Sequence, residues 1–206
     1  MKKKNILLIG AGGHARSCID VIEQLGEYKI AGLIGLPEQI NTSNFGYKII
    51  GTDSDLSLLL NKYKYAFIAV GQMKSSNNRR FLFEKITQIG FKVPSIISNL
   101  AYVAPNVVVD RGSIVMHGAV INSGSNIGVN CIINTNALVE HDVTIGSDTH
   151  ISTGAIVNGG ARVGNGVFIG SGSIIKQGIT IGNECFVGMG TRVIDNLING
   201  EKLVAD

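Results

Sequence analysis

Between residues 103 and 198 the chain repeats one six-residue unit sixteen times without a slip, and every unit opens on Val or Ile, from Val103 and Val109 through Ile145 to Val193. A fixed period sets an architecture ahead of any detail. Six suits neither an amphipathic helix, with a period of about 3.6, nor a two-sided strand, with a period of two. The fourth position of the unit is Gly, Asn or Asp in fifteen of the sixteen cases, Glu184 being the exception. These residues enter the left-handed backbone region at least cost, so each unit predicts a short strand followed by a tight corner. The fifth position is small or β-branched in most units, as at Ser113, Ala119, Cys131 and Thr149. It lies two residues before the next opener, and period-two alternation sends both to the same side. Three strands and three corners close a triangular coil. Sixteen units therefore predict a parallel β-helix of five coils and one extra side, roughly 25 Å tall at about 4.8 Å per coil, around a dry Ile/Val core.

Before residue 95 the texture differs: charged and helical stretches replace the hexads, which predicts two domains, 1–95 and 96–206. The composition is globular, with 45% hydrophobic and 16% charged residues, and the net charge is only +3. Beyond Lys2, Lys3 and Lys4 there is no basic run, so nucleic acid is not an expected partner. The apolar run 6–9 is too short to span a membrane and no cleavage-type segment follows it, which predicts a cytoplasmic protein. Cys18, Cys131 and Cys185 are odd in number and widely spaced, and read as buried small hydrophobes.

In the amino-terminal part, residues 5–9 read as a buried parallel strand. Gly10-Ala-Gly-Gly-His14-Ala15 and an apolar helical pattern, Cys18, Ile19, Val21, Ile22 and Leu25, come next. Strand, glycine turn and helix make a corner suited to a phosphate: Gly10 permits the turn, Gly12 lets backbone approach a ligand, and the helix start favours an anion. Further strands at 29–34 and 65–70, the latter ended by Gly71, continue a small doubly wound, Rossmann-like sheet, with helices expected at 53–63 and 76–89. A dinucleotide site needs an acid near the end of the second strand, and this chain has Ile34-Gly35 there. His14 suits either a sugar or phosphate contact or a plain first-turn position.

Of the four histidines, His141 stands out. It occupies a corner between Glu140 and Asp142, either of which could take a hydrogen bond from one ring nitrogen and raise the basicity of the other. Asp142 also fills the turn slot, so orienting the ring and merely making the corner are both open to it. His150 precedes an opener by one residue and so points out of the prism, on a different part of the triangle from His141. Three histidines on zinc, as in β-helical carbonic anhydrases, could be assembled only between subunits. The acids beside His141 suit a base better than a ligand set, and no metal is expected.

Gly-Ala-Gly-Gly-His in a small nucleotide-binding-like domain, then Asn134-Thr-Asn-Ala-Leu-Val-Glu-His141-Asp and Ile151-Ser-Thr-Gly-Ala on a hexapeptide helix, closely resemble the NeuD/PglD-type sugar acetyltransferases. The resemblance implies a left-handed β-helix, a homotrimer and acetyl-CoA in the groove between neighbouring β-helices. It makes His141 the general base, with Glu140 or Asp142 as its partner. His150 would contact the thioester carbonyl, Gly159 and Gly170 would line the pantetheine, and Gly12, Gly13, His14 and Gly71 would hold the sugar substrate. The implied activity is acetyl-CoA-dependent N-acetylation of a nucleotide-linked amino sugar for bacterial surface glycans, by direct transfer. Sialic-acid-type O-acetylation is the alternative within the family; an NAD-binding oxidoreductase and a non-catalytic solenoid are the alternatives outside it. Two departures stand out: the missing acidic pair after the second strand, and an ending in Leu203-Val-Ala-Asp206 where Gly-x-Pro-Ala is usual.

Overall fold

Residues 6–9 are fully apolar, as a strand covered on both faces must be, and in the computed structural model, which describes residues 3–205, they are buried in a strand with a parallel neighbour on each side. Two compact units divide the chain. One runs up to Gly71 and resumes at Arg79–Pro94; the other takes Gln72–Asn78 and everything from Ser95 onward.

The first unit contains β1 (Lys4–Ile9), α1 (Gly13–Leu25), β2 (Tyr28–Ile34), β3 (Ser43–Asn44), β4 (Tyr47–Gly51), α2 (Leu56–Leu59), β5 (Tyr65–Ile68) and most of α3 (Asn77–Ile89). The sheet order is β3-β4-β2-β1-β5, parallel except for the edge strand β3. After β1 the chain moves one way to β2, and later returns to the other side of β1 as β5. The carboxy ends of β1 and β5 are therefore a topological switch point, where open α/β sheets form their ligand crevices. The sequence reading places no strand between 34 and 65, where the structure has two, and its helix at 53–63 contracts to the single turn of α2. α1 packs Ala15, Cys18, Ile19 and Ile22 on the sheet and ends at Gly26 in the left-handed region, φ 73°. Burial pushes the Cys18 thiol up to about 12 and leaves it unreactive at neutral pH. Arg79 is buried, and its Nη1 donates to the carbonyls of Ile68 (2.7 Å) and Val70 (2.8 Å), pinning the chain as it leaves β5.

The second unit is the β-helix, a left-handed one. Its two-residue strands form three parallel sheets of seven, six and five strands. Val120 pairs with Leu138, Leu138 with Ile156, and Ile132 with His150, always eighteen residues on, so three hexads make one coil. Fourteen of the sixteen fourth-position residues take a left-handed backbone, Glu184 included at φ 55°; only Asn106 and Asn196, in the first and last units, do not. The fifth-position hydroxyls are buried without being orphaned. Ser113, Ser125, Thr149 and Ser173 each donate to a carbonyl fifteen residues ahead, at 2.6–2.8 Å, and each accepts an N–H eighteen residues ahead. Polar groups inside the prism thus join consecutive coils.

The three outer faces differ. The five-stranded face carries Val108, Asn126, Thr144, Arg162 and Thr180. The six-stranded face carries an unbroken apolar ladder, Tyr102, Val120, Leu138, Ile156 and Ile174, before Arg192. Its ends are open: Tyr102 is 56% and Ile174 37% exposed.

Candidate active site

His141 follows the strand Leu138–Val139 and sits on the corner between the six- and five-stranded faces. Asp142 makes that corner, with φ 59°, and also takes the imidazole: His141 Nδ1 lies 2.8 Å from Asp142 Oδ2. The two roles left open by the sequence are filled by one residue. A carboxylate only accepts, so Nδ1 carries the hydrogen and Nε2 presents a lone pair. Glu140 does not take the ring: its Oε2 accepts from the Asn122 side-chain Nδ2 (3.0 Å) and from the backbone N–H of His141 (3.3 Å). The bond to Asp142 raises the His141 pKa above the ordinary 6.5; desolvation opposes it, and the charges of Asp142 and Glu140 add lesser upward contributions.

One coil further on, Gly159 lies against the ring. A Cβ at 159 would stand 2.7 Å from His141 Nε2 and 2.8 Å from Cε1. Bare backbone here is what lets the imidazole settle with Nε2 available. Gly159→Ala, which needs no unusual backbone angle, is expected to tilt the ring and lower kcat at least about tenfold with an unchanged melting curve. Steady-state kinetics beside thermal denaturation check it, and full activity would show that the ring does not need this seat.

His150 and Gly170 lie elsewhere, on the seven-stranded face, and within one chain they are not brought to His141. His150 does face out of the prism, yet it is only 6% exposed. Its Nδ1 donates to the Gln72 carbonyl (2.8 Å), and its Nε2 accepts from Asn134 Nδ2 (3.1 Å). A Cβ on Gly170 would lie 2.5 Å from the Gly188 carbonyl carbon, so coil stacking alone demands glycine there. Among the described residues, no group of three or more His, Cys, Asp or Glu side chains is placed to hold a metal ion.

At the switch point of the first unit, Gly12, Gly13, His14 and Gly71 come together. A Cβ added to Gly12 or Gly13 would meet nothing within 4 Å, and one on Gly71 would lie 3.3 Å from His14 Cβ. Two further residues join them without any signal in the sequence. Asn44 Nδ2 donates to the Ala11 carbonyl (2.6 Å), and Asn44 Oδ1 accepts from Arg16 Nε (3.0 Å), which holds an exposed guanidinium beside the glycine turn. Asn44 belongs to the two-residue strand β3, too short for a pattern.

The sequence-family model for the PglD N-terminal domain matches residues 5–86, and that for the bacterial transferase hexapeptide repeat matches residues 160–195. Two solved structures are similar over their whole length. The acetyltransferase domain of PglB from Neisseria gonorrhoeae, in complex with acetyl coenzyme A, is 30% identical, with 99% of this chain and 97% of that one covered at a TM-score of 0.90. A His-to-Asn mutant of perosamine N-acetyltransferase from Caulobacter crescentus, in complex with CoA and GDP-perosamine, is 30% identical, with 98% and 93% covered at 0.92. The chain belongs to the NeuD/PglD-type sugar acetyltransferases. WeeI from Acinetobacter baumannii, at 22% identity and a TM-score of 0.87, shares the fold. Membership makes the protein an acyltransferase with acetyl-CoA as co-substrate, and sets aside the oxidoreductase and solenoid alternatives.

Proposed function

We propose that this enzyme N-acetylates an amino sugar carried on a nucleotide, by direct transfer from acetyl-CoA with His141 as general base. The observation that carries the reading is the corner itself: Asp142 fixes the tautomer, Gly159 seats the ring, and Nε2 is left as a lone pair on an exposed edge. The amine nitrogen attacks the thioester carbonyl carbon while its proton passes to Nε2. The tetrahedral intermediate then collapses to the amide, and the departing thiolate of CoA takes the proton back from His141. No covalent enzyme intermediate is needed, because holding both substrates together supplies the proximity. Glycines 12 and 13, His14 and Gly71, with Arg16 and Asn44, would hold the nucleotide-linked sugar. Gly159 would leave room for the pantetheine. Contact of His150 with the thioester through a ring nitrogen would compete with its bonds to Gln72 and Asn134.

The reading includes a homotrimer. It is supported by the apolar ladder of the six-stranded face, which runs beside the His141 corner along the prism and suits side-by-side packing of copies with parallel axes. Use of acetyl-CoA and a nucleotide sugar, both cytoplasmic metabolites, supports a cytoplasmic reaction feeding surface glycan synthesis.

The test is a panel of nucleotide-linked amino sugars and sialic acids incubated with acetyl-CoA, with mass detection of the product. An acetylated amine on a nucleotide sugar is expected; acetylation confined to sialic acid hydroxyls would overturn the assignment. The pH profile adds a second arm. A base must be unprotonated, and His141 has a raised pKa, so kcat/KM climbs with pH through a midpoint above the ordinary histidine value. Asp142→Asn removes the largest cause of the shift, so the midpoint moves down while the plateau rate falls.

A further inference from the structure

The sheet of the first unit has two ends, and the one away from the glycine turn is basic. Strands β1, β2 and β5 are parallel, so their starts share that edge, and those starts carry Lys3 and Lys4, Tyr28 and Lys29, and Lys64 and Tyr65. Lys92 joins them through a parallel bridge to Tyr65. All five lysines are exposed. Register sets Lys4 opposite Tyr28, and its Nζ lies 5.9 Å from that ring centroid and 5.5 Å from the Tyr65 ring, the two rings meeting edge-on at 5.7 Å. Lys3 and Lys29, with Glu23 and Tyr47, line an open cavity of about 400 Å³ floored by the buried Tyr28 and Ile30. The Tyr47 hydroxyl donates to Glu23 Oε1 (2.7 Å), so this acid is already engaged. Among the described residues, none of the five lysines has an acidic side chain within salt-bridge distance. The patch is assembled by the parallel sheet from starts far apart in the chain, which is why no basic run announces it.

We propose that this edge docks on an anionic lipid surface, with a headgroup phosphate seated between Lys3 and Lys29 in the cavity. Charge complementarity selects the occupant, because clusters of about four to eight basic residues on one surface are what anionic lipids attract. The tyrosines fit the same partner: an apolar ring with a polar tip suits the level of the headgroups, where one end is dry and the other wet. Lysine presents a point charge that accepts a phosphate from any direction, as mobile headgroups require. The planar arginine forks that read the base edges of a nucleic acid do not occur among the residues of this edge. Among the described residues no helix is long and apolar enough to cross a membrane, so the attachment is peripheral and reversible. The glycine turn and its crevice lie at the other end of the strands, about 20 Å away along the six residues of β1, so a docked unit keeps its ligand crevice open to soluble substrates.

Co-sedimentation of the full chain with vesicles of phosphatidylcholine alone, and with vesicles containing about a quarter phosphatidylglycerol, tests the edge. Binding to the anionic vesicles only is expected at about 0.1 M salt, fading as salt is raised. A Lys3→Glu/Lys29→Glu/Lys64→Glu variant is expected to bind them at least about tenfold more weakly, with an unchanged melting curve and unchanged acetyl transfer in solution, because these side chains are exposed and hold no part of the fold. A Lys85→Glu/Lys176→Glu/Lys202→Glu variant makes the same change of net charge elsewhere and should bind as the wild type does. Failure of the wild-type chain to bind anionic vesicles overturns the proposal, and so does equal binding by the first variant or equal loss in the second. A chain that ignores the vesicles but binds a DNA duplex at the same salt would assign the edge to nucleic acid instead and overturn it equally.

Discussion

His141→Ala is expected to lower kcat at least about a hundredfold while leaving the assembly and the melting curve as they are. General-base catalysis contributes roughly 10²–10⁴ in rate, and the residual activity would come from holding the amine against the thioester. The side chain is 65% exposed at a corner whose turn is made by Asp142, so its removal opens no cavity and breaks no coil-to-coil bond. Folding is thereby separated from chemistry. Steady-state kinetics with saturating acetyl-CoA, together with sedimentation and thermal denaturation, are the measurements. His141→Asn is a useful companion, since an amide of similar size keeps the contact with Gly159 but is no base. If either variant transfers acetyl groups at the wild-type rate, His141 has no part in the proton transfer. A loss of rate confined to KM would make it a binding group instead.

The hexads were legible because each position carries one physical demand. An opener must be a branched aliphatic to fill the prism, the fourth residue must accept a left-handed backbone, and the fifth must be small enough to share the interior with the next opener. Those demands give the address of His141 directly. They do not reveal that Asp142 both turns the chain and holds the ring, because a turn slot is filled by Asp for either reason. The burial of His150 was hidden differently. Its outward position follows from alternation, but its cover comes from Gln72, seventy-eight residues earlier, and nothing local announces it. Gly159 and Gly170 look alike in the repeat, yet the first makes room for an imidazole and the second for the backbone of the next coil. In the first unit, β3 was missed because a two-residue edge strand has no period, and β4 because its five residues bury only Ile49 and Gly51, too few for a pattern. With β3 went Asn44, which joins the glycine turn to Arg16.

Ile156→Asp is expected to break the proposed trimer and lower activity at least about a hundredfold. Ile156 lies within the outward ladder, paired with Leu138 on one side and Ile174 on the other, and in a lone chain it faces outward from the sheet. A carboxylate at this half-buried position costs an isolated subunit less, since it keeps part of its water and interrupts no backbone pairing. Between copies the same charge would be stripped of water without a partner, and a homotrimer would bear that cost three times over. Thr144→Asp, a similar change on the polar five-stranded face, serves as the control and should leave the assembly intact. Activity should follow assembly because, within one chain, the His141 corner and the seven-stranded face lie on different sides of the prism, and the proposed assembly has the base of one copy work on a thioester held by another. Analytical ultracentrifugation and acetyl-transfer assays on both variants separate the claims. An Ile156→Asp chain that stays trimeric would place the interface on another face. One that becomes a monomer and keeps full activity would show that a single subunit holds the whole site.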